Sequence, residues 1–327
     1  MNYIRNDGEL LAIAPIRMTT LLYTFMLDAD WNALNRICDR CLNLGGSTVY
    51  RPLFPGVFLY CSKLNSFPMA EPVIGWCPEY DFGIWMPVAA GRVKGDVFHP
   101  ESIAAYTPYI WVDNGVAMLG GRTVYGFAKA IGSSMTMPQS PGDPANFHLE
   151  TQVIETYGPD SEVVTRPLLD VHRLDAGLWD KLTQAAKSAR NGLDTLHDII
   201  AGQGPGHLPW PDPAFLLRAI QTLQHRLPLV LLKQFPDATD GRKACYQALI
   251  QGNVDITSPV EWGLLGGEYG VTISQYDSHN IVRELGLKAA QTIGRQSMVK
   301  SLFHAWMKFD GLVNPGTVIY DSGGATA

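Results

Sequence analysis

Between residues 10 and 160 the chain is a succession of short segments rich in aromatic and β-branched residues, punctuated by glycine and proline. Residues 49–52, 57–61, 82–88 and 109–112 read as strands on this pattern, and residues 148–155 alternate as another after a proline-rich loop at 137–144. A sheet is therefore the feature any fold of this chain must accommodate. Residues 31–42 interrupt it with Leu34, Ile37, Cys38, Cys41 and Leu42 at helical spacing, behind an acidic start at Asp28 and Asp30. The texture changes at residues 175–202, where apolar residues recur at three and four. A turn-rich connector (202–213) and a second short helical stretch (214–223) follow. Beyond residue 228 the strand pattern returns at 229–235, 270–274 and 316–320, with helices expected near 280–292 and 297–303.

One residue stands out within this frame. Residues 124–131 read VYGFAKAI, and Lys129 is the only charge among them. A buried ammonium loses solvation, which pushes the amine towards its neutral form. A neutral amine is a nucleophile that forms a Schiff base with a carbonyl compound. The plain alternative is a lysine that lays its stem on apolar surface and keeps its head in water.

The segment around it, residues 111–132 (WVDNGVAMLGGRTVYGFAKAIG), resembles the active-site segment of the acetoacetate decarboxylase superfamily. Asp113, Asn114, Ala117, Gly121, Arg122, Gly126, Phe127, Lys129 and Gly132 fall in register without a gap, and Lys129 takes the position of the Schiff-base lysine. Upstream, residues 79–88 (EYDFGIWMPV) resemble a family strand with Tyr-x-Glu and Pro-Val. Asp81 stands there for the glutamate and Glu79 for the tyrosine. Arg17, followed by the apolar residues 21–25, is similar to a first strand that carries a functional arginine. Residues 232–238, 244–249 and 309–318 resemble later strands. The region 170–225 has no counterpart.

There are departures. The family's Pro-Lys-Lys is Ala128, Lys129 and Ala130 here, and Thr123 replaces a glutamate. Ala130 removes a neighbouring cation that would depress the lysine pKa, so burial must supply the shift, aided by Arg122. Asp81 is one methylene shorter than glutamate. Glu79, two residues away on the same strand face, is the alternative proton carrier.

The resemblance implies an α+β fold built on a mixed, mostly antiparallel curled sheet or cone around an apolar pocket. On this reading the chain is one domain over 1–327 with a helical insertion at about 170–225, assembled as a homo-oligomer. It implies a lyase whose Lys129 attacks a keto acid. The iminium then draws electrons from the bond to a β-carboxylate, releasing carbon dioxide. Asp81 or Glu79 moves protons, and Arg17 or Arg122 holds the substrate carboxylate. Tyr125, Phe127 and Trp85 supply apolar walls. The same iminium also supports aldol addition, cleavage, dehydration or cyclisation without loss of carbon dioxide. A third reading is an inactive relative that binds a small molecule.

Composition narrows the field. Lys plus Arg total 25, scattered, against 31 Asp plus Glu, which gives no basic patch for nucleic acid. No apolar run approaches the roughly 18 residues of a membrane span. The first residues lack the basic and apolar regions of a secretion signal, so a cytoplasmic protein is expected. Five cysteines suggest no disulfide framework, and Cys38 and Cys41 read as core residues. No motif implies a metal, nucleotide or flavin.

Overall fold

A computed structural model describes residues 11–71, 73–174, 222 and 225–322. The chain enters through β1 (Ile16–Asp28), α1 (Trp31–Cys41), β2 (Val49–Pro52), β3 (Gly56–Pro68), β4 (Cys77–Lys94) and β5 (Val97–Val112). Helix α2 (Gly115–Gly120) runs into a π-helical turn (Gly121–Tyr125), then β6 (Lys129–Thr136), β7 (Phe147–Val153) and β8 (Val164–Leu174). After residue 225 come β9 (Arg226–Pro236), β10 (Ala244–Ile256), β11 (Glu261–Leu264) and β12 (Glu268–Ser274). Helix α3 (Ile281–Leu285), β13 (Gln291–Ile293), β14 (Gln296–Val313) and β15 (Thr317–Asp321) complete the described chain.

Among the described residues these strands form one sheet of 15 strands. Pairing is antiparallel except where β5 meets β6 and β9. The sheet is thus mixed and mostly antiparallel, as expected, and two extra pairings curl it closed. β10 reaches β14 and β4 reaches β5, so β1, β3, β4, β5, β9, β10 and β14 make a complete ring.

Strand alternation gives this ring two faces. On β1, Tyr23, Phe25 and Leu27 turn outward from the ring into the main core, where they meet Leu59, Phe82, Ile84 and Trp111. Met18, Thr20 and Leu22 turn inward. Helix α1 packs its apolar face on the main core, with Leu34, Ile37 and Cys38 buried, and Asp30 caps it by accepting from the Ala33 amide at 2.7 Å. Both cysteines of this helix are free thiols.

Three expectations need correction or fall outside the structure. Residues 297–303 are not a helix but part of β14. The run was short enough for either reading, and its pairing with β12 and β1 on opposite sides decides for strand. Of residues 280–292 only Ile281–Leu285 is helical, ended by Gly286 in the left-handed region at φ 63°. Residues 170–174, at the edge of the region about 170–225, form the end of β8. The helical stretches expected at 175–202 and 214–223 lie outside the described residues, apart from Thr222. Among the described residues no helix is long and apolar enough to cross a membrane.

Candidate functional site

The inside of the ring holds a cavity of about 150 Å³ with Lys129, Glu79 and Asp81 on its wall. Lys129 is the first residue of β6, whose parallel pairing sets it beside Ile110 of β5. Ile110 pairs with Gly83 of β4, and Gly83 with Tyr60 of β3. One row across four strands therefore sets Lys129 and Tyr60 on either side of Gly83, two residues along β4 from Asp81 and on the same face.

The turn before β6 is built for this placement. Asn114 caps α2, accepting from the Val116 and Ala117 amides, while its own amide donates to the Pro78 carbonyl at 3.0 Å. Asp113 accepts from the Tyr80 amide at 2.8 Å. The two residues thus tie the start of α2 to β4 on either side of Glu79. At the far end Gly126 adopts φ 86°, which a side chain would strain, and ends the π-turn. Gly121 packs directly on the lysine stem, where an added Cβ would stand 2.7 Å from Lys129 Cδ.

All three ionisable groups are buried. Lys129 Nζ lies 3.2 Å from Glu79 Oε2 and 3.5 Å from Asp81 Oδ2. Tyr60 donates its hydroxyl to Asp81 Oδ1 at 2.9 Å, and Ser62 donates to the Asp81 backbone carbonyl at 3.1 Å. Burial raises both carboxyl pKa values, with Lys129 pulling the other way. For Lys129 burial lowers the pKa, but the two carboxylates together outweigh it and leave the amine above its ordinary value. Burial, reinforced by Asp81, pushes the Tyr60 phenol far up, so it stays protonated as a donor. One ammonium between two ionised carboxylates would leave a net buried negative charge. Burial opposes that charge by raising both carboxyl values, and the three groups titrate as a unit.

This corrects the expectation that burial, aided by Arg122, depresses Lys129. The resting amine is held charged, and it becomes free when its proton passes to a neighbouring carboxylate. That transfer leaves a nucleophile and a carboxylic acid side by side, the two groups that imine formation and loss of water require.

The cavity gathers six of the eight expected site residues: Lys129, Asp81, Glu79, Trp85, Tyr125 and Phe127. The Phe127 ring centre is 5.9 Å from Lys129 Nζ. Arg17 and Arg122 do not fit the role of carboxylate clamps. Arg17 alternates with the cavity-facing Ile16 and Met18, so its side chain emerges on the other face, exposed. Arg122 is also exposed and donates to the Lys129 backbone carbonyl at 2.9 Å, bracing the start of β6. Tyr60 was not visible from the sequence as a site residue. Its strand was, but its partnership with Asp81 depends on the β3–β4 register. Lys129 is the one cation among the described residues lining the cavity.

No family model matches the chain, and no curated protein sequence matches it. Solved structures do. Acetoacetate decarboxylase from Legionella pneumophila superposes with a TM-score of 0.57 at 16% identity, covering 98% of this chain and 93% of that one. A second acetoacetate decarboxylase structure gives 0.52 at 14% identity, over 96% and 92%. The enduracididine biosynthesis enzyme MppR, complexed with the condensation product of pyruvate and imidazole 4-carboxaldehyde, gives 0.50 at 14% identity, over 95% and 92%. The chain has the acetoacetate decarboxylase-like fold.

Proposed function

We propose that this chain, which carries the acetoacetate decarboxylase-like fold, is an imine-forming lyase that uses Lys129 as its nucleophile. The observation that carries the reading is a buried amine within 3.5 Å of two buried carboxyl groups, on the wall of a mostly apolar cavity. The amine gives its proton to Glu79 or Asp81 and adds to the substrate ketone. The resulting carboxylic acid returns a proton to the departing hydroxyl, and water leaves the carbinolamine. With a β-keto acid, the bond to the carboxylate breaks, its electron pair passes to the iminium nitrogen, and carbon dioxide leaves an enamine. The carboxyl group, reprotonated from solvent, protonates the enamine carbon, and water adds to the resulting iminium to release the ketone and the amine. Such a site needs neither metal nor cofactor for these steps.

A second reading keeps the imine and changes the bond. No second cation among the described residues lines the cavity to hold a substrate carboxylate. A neutral carbonyl compound undergoing aldol addition, cleavage or dehydration suits that wall, with Glu79 and Asp81 as base and acid.

Borohydride reduction in the presence of β-keto acids, α-keto acids and simple ketones tests both. A reduced adduct mapped to Lys129, absent from Lys129→Ala, is expected. An adduct lacking the mass of carbon dioxide supports decarboxylation, and one retaining the full carbon skeleton supports the second reading. No adduct with any compound would overturn the imine.

A further inference from the structure

We infer that the substrate carries an extended apolar tail, bound in a second chamber that continues the Lys129 cavity along the inside of the ring. The carbonyl end of this inference rests on the proposed imine chemistry, whereas the tail chamber rests on its own geometry. The chamber measures about 260 Å³, larger than the about 150 Å³ beside Lys129. Leu22, Trp85, Leu227 and Phe309 line both spaces, so the two share a wall.

The strands show that this is one groove and not two unrelated voids. On β4 the cavity-facing residues run Glu79, Asp81, Trp85 and Pro87, with the first pair at the lysine and the last in the chamber. β1 runs in the same direction as β4, each being antiparallel to β3. It makes the same passage through Met18, Thr20, Leu22 and Thr24. β14, antiparallel to β1, makes it in reverse, from Val313 through Phe309 to Phe303. At about 3.3 Å per residue, Pro87 lies about 20 Å along the strand from Asp81. That span exceeds what a short keto acid fills.

The chamber's chemistry selects its occupant. Among the described residues no charged side chain lines it, and Thr24 offers the one side-chain hydroxyl. An apolar space of this size, left empty, forfeits packing contacts on all its walls. A hydrocarbon tail recovers them, while a charged or strongly polar group would lose solvation without a partner. Trp85 marks the passage, its ring stacked on Tyr60 at 4.3 Å between centres. Tyr60 in turn holds Asp81, so a tail lying on Trp85 rests against the support of the proton carrier.

The test measures binding of acetone, n-butyl methyl ketone and n-octyl methyl ketone by calorimetry to the full chain carrying Lys129→Ala, in which no imine forms. Affinity is expected to rise about fourfold per methylene until the chamber is filled. Ala105 faces the chamber opposite Pro87, and Ala105→Phe in the same background should abolish most of the gain from the longer tail. Ala105→Leu, a milder filling, should give an intermediate loss and serves if the phenylalanine variant does not fold. Affinity that is flat with tail length, or a length dependence untouched by both fillings, overturns the chamber. Borohydride trapping on Lys129 in the unaltered protein reports the head group separately. Trapping without length dependence leaves the imine and removes the tail, and length dependence without trapping does the reverse.

Discussion

Lys129 Nζ stands 3.2 Å from Glu79 Oε2, with the two side chains only 9% and 6% exposed. Fifty positions apart in the chain, the two residues meet because β6 and β4 both pair with β5. The pairing reverses what burial alone would do to the lysine, and the carboxyl groups set when the amine is free.

Removing that influence should expose the effect of burial. In Glu79→Gln/Asp81→Asn the desolvation of Lys129 is unopposed, and its pKa should fall below the ordinary lysine value, by as much as several units. Each single variant should fall in between. The rate of modification of Lys129 by an amine-selective reagent across pH, read by peptide mass spectrometry, measures this. A Lys129 pKa unmoved in the double variant would contradict the assigned electrostatics.

Lys129→Met should destabilise the protein in a pH-dependent way. It leaves two buried carboxyl groups with no cation, and their folded pKa values rise further. The folded state then binds more protons than the unfolded state above about pH 4, so stability falls as pH increases through the window between the ordinary and the raised values. Removing one partner of a buried ion pair costs about 3–5 kcal/mol. The loss should therefore approach that range at pH 8 and shrink at pH 5, as read by urea unfolding at both pH values. In the unaltered protein the lysine contribution is complete below its unfolded value and is lost as pH rises through the higher folded one.

Arg122 acts on Lys129 through its backbone, and that role predicts a distinct signature. Arg122→Ala should slow imine trapping at saturating ketone roughly tenfold, because small misplacements of a reacting group are costly. The ketone concentration for half-maximal trapping should stay within about twofold, since the guanidinium does not line the cavity. A carboxylate clamp would behave oppositely, raising the half-saturating concentration for keto acids and not for ketones.

Much of this arrangement was legible in one dimension. The strand texture, the helix behind Asp30 and the isolation of Lys129 are local properties. The alternation that puts Glu79 and Asp81 on one face is local too, because side-chain direction along a strand follows from spacing. Tertiary structure decided what spacing leaves open. Residues 297–303 became strand because β1 and β12 bind both edges of β14. Arg17 turned away from the cavity because the parity of β1 was set by which face the ring encloses. Tyr60 met Asp81 through the β3–β4 register. The charge on Lys129 was set the same way: a sequence shows that an amine is surrounded by apolar neighbours, but its ionisation depends on partners that only folding brings within 3.5 Å.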